Sequence, residues 1–213
     1  MNPDPDILLR EAAGLSRLIE RALPKDSLGH PLEILAETTS TNDVLKERAQ
    51  AGAAEGTAVL ALAQTRGRGQ QGRPWISPAG KGLYLSVLLR PHSQALDGGR
   101  IAALAADAVR AVLAEAGVPA LTIKPPNDVL AGGRKIAGVL VEPRIGRTGC
   151  EFAVVGIGVN LKHTAGDFAS LPPDRPATSC LIEGVDLSVA QAAARVLRRL
   201  TRLYRRECLP SIP

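Results

Sequence analysis

Gln64-Thr65-Arg66-Gly67-Arg68-Gly69-Gln70-Gln71-Gly72-Arg73-Pro74-Trp75 is the stretch on which the fold turns. Within it, Gly67 to Gly72 spells G-x-G-x-x-G, the pattern of a dinucleotide-binding βαβ unit, and an apolar run from Thr57 to Ala63 precedes it. That unit needs a helix opening at the glycines, so that its first amides hold a pyrophosphate, and an acidic residue about 20 positions later. Here Arg73-Pro74-Trp75-Ile76-Ser77-Pro78 follows, with prolines that oppose a helix, and then the apolar run Leu83 to Leu89, which has strand character. The glycines therefore sit between two strands. A kinase-type glycine loop is excluded too, because neither H-R-D nor D-F-G occurs in the chain. What is left is a loop whose glycines allow positive φ and close approach, and whose arginines match phosphate or carboxylate oxygens. It predicts a mobile clamp over an anionic ligand.

Outward from the clamp, periodicity predicts a helix over 7–22, a strand over 32–37, a helix over 42–51 and strands over 57–64 and 83–90. An alanine-rich helix over 99–116 ends at Gly117 and Pro119. Short β segments follow at 121–124, 129–131, 135–142 and 152–159. Gly132-Gly133 and a glycine-rich break at 146–149 read as hairpin turns, and a last helix covers 187–206. Clustered strands with helices between the others predict an α+β fold with a mixed, largely antiparallel sheet and packed helices.

The chain of 213 residues, 45% hydrophobic and 22% charged, suits one soluble globular domain. We divide it into an N-terminal helical extension over 1–30 and a main domain over 31–213. No apolar run reaches about 18 residues, and the start, Met1 to Asp6, is acidic where a secretory signal is basic; the sequence predicts a cytoplasmic protein with no membrane contact. Cys150, Cys180 and Cys208 are too scattered for a disulfide framework or a C-x-x-C metal site. The net charge of +5 draws on Arg195, Arg198, Arg199, Arg202, Arg205 and Arg206, compatible with an anionic partner. Val196, Leu197, Leu200, Leu203 and Tyr204 share one helical face, however, which makes the arginines the solvated face of a packed helix.

Other segments carry chemistry. Ser40-Thr41-Asn42-Asp43 closes a strand and opens a helix, where its polar side chains cap amides or point into a pocket. Lys124-Pro125-Pro126-Asn127-Asp128 is a stiff polar bend compatible with three roles: binding a phosphate, holding a metal through Asp128, or forming a polar turn. Lys135 to Glu142 and Val154 to Asn160 are strands with glycine inside apolar runs, explained by close approach of a ligand or by a bulge. Tyr84 reads as core, and Trp75 as packing either a ligand or the core.

Together these segments resemble a biotin protein ligase. Ser40-Thr41-Asn42 matches that family's S-T-N, Gln64 to Arg73 its Q-x-x-G-R-G-x-x-G-R, and Trp75 to Ser86 its W-x-S-P…L-Y-x-S. Lys124 to Asp128 resembles its K-W-P-N-D, Lys135 to Glu142 its K-x-x-G-x-L-x-E, and Gly156 to Asn160 its G-x-G-x-N. The resemblance spans about Leu32 to Leu161 and, more weakly, Ala177-Thr178-Ser179 and the last helix. It implies a class II synthetase-like catalytic domain. The implied reaction is two-step: biotin and MgATP give biotinyl-5′-AMP and pyrophosphate, then a lysine of a biotin carboxyl carrier protein, such as that of acetyl-CoA carboxylase, takes the biotinyl group.

On this resemblance Arg68 and Lys124 supply catalytic cations. Biotin is held by Ser40, Thr41, Asn42, Gln64, Gly67, Arg68, Gly138 and Val139. The nucleotide is met by Gly69, Gly72, Arg73, Trp75, Asn127, Lys135 and Asn160, and Asp128 helps with Mg²⁺. The clamp is implied to order on ligand binding and shield the acyl-adenylate from water. The chain departs from the family pattern at Pro125, where tryptophan is usual, and at Gln70, where a basic residue is common. It ends soon after the last helix, where the family adds a small β-barrel domain, and too few residues precede position 32 for a DNA-binding domain; no DNA partner is expected. A monomer or a homodimer formed through a sheet edge is expected. Two alternatives are a lipoate or octanoyl ligase of the same fold and a non-catalytic biotin or adenylate binder.

Overall fold

The computed structural model describes residues 5–91, 97–147 and 149–208, with side chains from residue 12 onward. Met1 to Asp4 and Thr148, which enter the expectations for the N-terminus and the second hairpin turn, lie outside the described residues.

The elements in chain order are α1 (Pro5–Ala22), β1 (Leu32–Thr38), α2 (Thr41–Gln50), β2 (Ala58–Gln64), β3 (Gly82–Leu89), α3 (Gly98–Glu115), β4 (Leu121–Lys124), β5 (Asp128–Ala131), β6 (Arg134–Gly146), β7 (Gly149–Asn160) and α4 (Val189–Cys208). The strands form a seven-stranded sheet in the order β1-β2-β3-β7-β6-β5-β4. Only β1 and β2 run parallel, joined by the α2 crossover, and every other neighbouring pair is antiparallel. The fold is thus α+β with a mixed, largely antiparallel sheet. At their hairpin β6 runs four residues and β7 three residues past the periodicity limits, because cross-strand pairing carries Pro143 to Gly146 out into solvent. Gly132 and Gly133 both take positive φ (53° and 78°) at the β5–β6 turn, as a tight hairpin requires.

Strand alternation splits the buried side chains between two faces. Ala58, Leu60 and Leu62 of β2, Leu83, Leu85 and Val87 of β3, and Val155, Ile157 and Val159 of β7 join the main core with residues of α1, α3 and α4. Ile19 and Leu23 belong to this same core, so the N-terminal helix packs as part of it. Its other wall is α3, whose start is capped by Asp97 accepting from the Arg100 amide. On the opposite face Val59, Leu88 and Val154 meet only α2, through Leu45 and Ala49. One helix cannot cover a seven-stranded sheet, and the uncovered part of this face is where the polar motifs gather.

In α4 the residues Val196, Leu197, Leu200 and Tyr204 are buried and Arg195, Arg198, Arg202, Arg205 and Arg206 are exposed. Arg199 and Arg205 pair with Glu115 and Asp26. This is the solvated face of a packed helix.

Candidate active site

The uncovered face carries Tyr84 and Ser86 of β3, Gly156, Gly158 and Asn160 of β7 and, by register with these glycines, Gly138, Leu140 and Glu142 of β6. Three glycines side by side make a low floor. Above it lies a cavity of about 580 Å³, within the common size range of small-molecule sites. Ser40, Thr41, Asn42, Gln64, Arg68, Gly69, Arg73, Trp75, Lys124, Asn127, Asp128, Lys135, Gly138, Val139 and Asn160 all line it. Segments as far apart as Ser40 and Asn160 therefore converge on one space. Gly67 and Gly72 do not line it. Gly67 is packed so that a Cβ would stand 2.8 Å from the Trp75 carbonyl and 2.9 Å from Gln64 Nε2, and Gly72 supplies a positive φ of 70° to the loop's own turn.

The glycine floor has an intramolecular cause. A Cβ on Gly158 would meet the Trp75 ring at 2.5 Å, one on Gly138 would meet it at 3.3 Å, and one on Gly156 would collide with the Asn42 amide. Trp75 thus lies flat on β6 and β7, with Lys135 Nζ 5.3 Å from its ring centroid. The close approach expected at these glycines is made first by the protein's own rings and amides.

At one end of the cavity the side chains are neutral and hydrogen-bonding. Ser40 occupies the N-cap position of α2 but makes no capping bond, and the Thr41 and Asn42 side chains bond to Gln64, Ser86 and Glu142 on other elements. Gln64 Oε1 accepts from the Thr41 amide (2.9 Å), and its Nε2 donates to Ser77 (3.0 Å). Fully buried Ser86 lies 2.7 Å from Thr41 Oγ1 and 2.5 Å from Asn42 Oδ1. Because the Asn42 amide nitrogen donates to Glu142 (2.6 Å), its oxygen must accept from Ser86, which fixes the direction of the chain. Tyr84 donates to the Pro78 carbonyl (3.0 Å), and burial pushes its phenol pKa up, keeping it neutral.

The other end is cationic. Lys124 is exposed at the rim and forms no ion pair among the described residues. Arg73 and Arg175 also line the cavity, and Lys135 Nζ stands 2.6 Å from Asp128 Oδ1 without the geometry of a full hydrogen bond. Asn127 and Asn160 face the cavity but are engaged as braces. The Asn127 side chain donates to the Val139 carbonyl (2.8 Å) while the Val139 amide donates to the Asn127 main-chain carbonyl (2.9 Å), and the Asn160 side chain donates to the Thr178 carbonyl (2.9 Å). Val139 contributes backbone, since its side chain lies in the main core.

Arg68 differs from the expectation of a free cation. Its guanidinium forks onto Asp43, with Nη1 2.6 Å from Oδ2 and Nη2 on Oδ1, and Nη2 also lies 3.5 Å from Glu142. The hydrogen bond from Arg68 holds the Asp43 carboxyl below its ordinary pKa. Burial alone would raise Glu142, but hydrogen bonds from Lys46 and Asn42 outweigh it and keep the carboxylate ionised. The clamp is closed on itself as well: the Gly69 amide donates to the Arg73 carbonyl (2.7 Å) and the Trp75 amide to the Gly67 carbonyl (2.8 Å). Asp43, Lys46, Ser86 and Glu142 carry none of the sequence assignments. The polar residues Ser86 and Glu142 on the alternating face of apolar strands were the signal that could have found two of them.

The residues present do not make a metal site of their own. Asp128 faces Lys135, and among the described residues no group of three His, Cys, Asp or Glu side chains is placed to hold an ion.

The opposite rim is the segment after β7. Phe168, Ser170, Leu171, Pro172, Asp174, Arg175, Pro176 and Ala177 line the cavity. Lys81 Nζ holds both Asp167 oxygens (2.6 and 2.7 Å), and Phe168 stacks on buried His163 with centroids 5.3 Å apart.

Comparison with known proteins agrees with this geometry. The model of the Biotin/lipoate A/B protein ligase family matches residues 34–160. The chain is 33% identical over 181 residues to the bifunctional ligase/repressor BirA of Bacillus subtilis, covering 85% of this chain and 53% of that protein. It is 42% identical over 130 residues to a biotin--[acetyl-CoA-carboxylase] ligase of Paracoccus denitrificans, covering 60% and 53%. The chain thus spans about half the length of these relatives. Among solved structures it is similar to the biotin protein ligase from Aquifex aeolicus in complex with biotin and ATP, with a TM-score of 0.68, 31% identity, and 83% and 71% of the two chains covered. With the family model matching more than half of its residues, and with the same motifs gathered around one cavity, the chain belongs to the biotin/lipoate A/B protein ligase family.

Proposed function

We propose that the protein is a cytoplasmic biotin ligase that activates biotin with ATP and passes the biotinyl group to a lysine of a biotin carboxyl carrier protein. The observation that carries this reading is the polarity of this cavity: a neutral hydrogen-bonding group at Ser40, Thr41 and Gln64, a glycine floor, and a rim bearing Lys124 and Lys135. A bicyclic urea needs donors and acceptors without charge, and a triphosphate needs cations. In the first step a biotin carboxylate oxygen attacks the α-phosphorus and the bond to pyrophosphate breaks. In the second a lysine amine attacks the acyl carbon, AMP leaves, and the amine loses a proton. Neither step requires a protein nucleophile; positioning and stabilisation of phosphoryl charge are what the site must supply. Lys124, exposed at the rim, is the cation for that charge. Arg68, held by Asp43, acts through the clamp. Mg²⁺ would accompany the ATP phosphates, and no step is routed through a protein-held ion.

The test is biotin-dependent pyrophosphate release from ATP, followed by addition of a carrier domain and mass measurement of the acceptor lysine. Biotin-dependent release and a biotinylated lysine are expected. Release with lipoate in place of biotin would overturn the substrate, and tight biotin binding without release would make the chain a binder.

A further inference from the structure

Arg90 directly follows β3 and is not among the residues that line the cavity. Its guanidinium reaches the far end of α2. There Nη2 donates to the Ala49 carbonyl (3.1 Å) in the last turn and to the Ala53 carbonyl (2.9 Å) just beyond it, and Nε donates to Ala53 as well (3.3 Å). Nη1 donates to the Glu151 carbonyl of β7 (3.3 Å), so one side chain joins the helix end to the sheet. The cation also meets the negative end of the helix dipole. Arg90 is itself held from two further directions: its guanidinium carbon lies 5.7 Å from the Phe152 ring centroid, and its main-chain amide donates to Glu55 (2.8 Å), whose same oxygen accepts from Tyr204 of α4 (2.7 Å).

At its other end α2 delivers Thr41 and Asn42 to the cavity. The side-chain bonds that hold them run to Gln64, Ser86 and Glu142, and Thr41, Asn42 and Gln64 border the space that a ligand fills. Between the two ends the helix rests on the sheet through Leu45 and Ala49, whose apolar contacts resist lifting but carry no direction along the helix axis. Hydrogen bonds do carry direction, and those of Arg90 lie where no ligand in the cavity competes for them. We propose that Arg90 is a positioning residue for the neutral end of the cavity: by holding the last turn of α2 against β7 it sets the helix along its axis, and with it the places of Thr41 and Asn42 over the glycine floor. A helix of ten residues is stiff and about 15 Å long, so a shift at one end is carried to the other. That these two residues meet biotin rests on the proposed reaction; the seating of the helix does not.

Arg90→Met keeps the stem and removes every side-chain donor, whereas Arg90→Lys keeps the charge and one donor group. In Arg90→Met the biotin KM for pyrophosphate release should rise about tenfold, the size of one lost charge-assisted contact, with kcat within about twofold and the ATP KM unchanged. Arg90→Lys should fall between Arg90→Met and the wild type. A role in stability alone gives another split, because kcat then drops with the folded fraction and the biotin KM keeps its wild-type value; that result overturns the proposal. Amide hydrogen exchange reads the seating without any reaction: in ligand-free Arg90→Met the amides of residues 42–45 should exchange about tenfold faster while those of β6 keep their wild-type rates. Unchanged rates in α2, or equal acceleration in α2 and β6, overturn it as well. Should circular dichroism show that Arg90→Met does not fold, Arg90→Lys carries both measurements, with smaller shifts in the same directions expected and wild-type values overturning the proposal. A wild-type protein that releases no pyrophosphate defeats the proposed reaction and leaves hydrogen exchange to decide the seating of α2.

Discussion

The two rims of the cavity are held in different ways. The clamp side is fixed by charged side chains meeting across three elements: Arg68 from the loop, Asp43 and Lys46 from α2, and Glu142 from β6. The opposite rim is fixed mainly by backbone. The Lys135 amide donates to the Pro176 carbonyl (2.8 Å) and the Thr178 amide to the Lys135 carbonyl (2.9 Å), which makes Ala177 a short extension of the sheet beside β6. Its side-chain support is one ion pair, Lys81 with Asp167, and one stacked pair, His163 with Phe168. Exposed charge pairs weaken with salt and depend on protonation, whereas main-chain pairing on a sheet does neither. One rim can therefore be tuned by solution conditions, while the other follows the sheet.

The largest expected effect strikes the floor on which both rims stand. Gly158→Val places a side chain where Trp75 lies, and overpacking of this kind costs about 1–3 kcal/mol. We expect a lowered melting temperature, loss of biotin-dependent pyrophosphate release and a shift in Trp75 fluorescence. Wild-type values in all three would show that the glycine does not serve the indole.

Next, Lys81→Met removes the side-chain support of the far rim. ATP KM should rise several-fold with biotin KM little changed, and Lys81→Arg should retain the wild-type value. An equal rise in both constants would mean that the rims are one unit. A smaller effect separates them by salt: at 1 M ionic strength, where the Debye length is about 3 Å, tryptic cleavage of the clamp after Arg66 and Arg68 should increase with no added cleavage after Lys162 at the start of the far rim.

The smallest effect is in pH. Burial holds the His163 pKa below its ordinary value, with Tyr84, Lys81 and Asp167 facing or near the ring. The folded state therefore binds its proton less readily than the unfolded chain. The resulting stability is complete above about pH 6.5 and is lost as pH falls from there towards the folded-state pKa. Melting temperature should decline over that window, and His163→Gln should flatten the decline. Asp167, held near a pKa of about 2 by Lys81, keeps its charge throughout.

Legibility in the sequence followed the range of the interactions. Among the described residues every α-helix and strand was visible to within a few residues, because burial on one face writes period 3.6 or 2 into the chain, whereas the single 3-10 turns at Gln70–Gly72 and Ala165–Phe168 carry no such period; the Gly132-Gly133 turn was visible because only glycine takes both conformations cheaply. The site residues were legible as motifs, and all but Gly67 and Gly72 border the cavity. Their partners were not legible. Ser40, read as a cap or a pocket residue, makes no capping bond and lines the cavity; Asn127 and Asn160 line it too, and spacing gave no sign that each also braces a carbonyl.

By itself the sequence determined the α+β class, the rejection of the dinucleotide-binding reading of residues 67–72, and the family, since each depends on local spacing and order. Only the tertiary structure decided which cation is free and which is held, and why three strand positions must be glycine. Asn42 and Glu142 are a hundred residues apart and Arg68 and Asp43 are twenty-five apart. Whether such groups pair depends on ångström distances and burial in the folded chain, and local spacing along the chain does not encode those quantities.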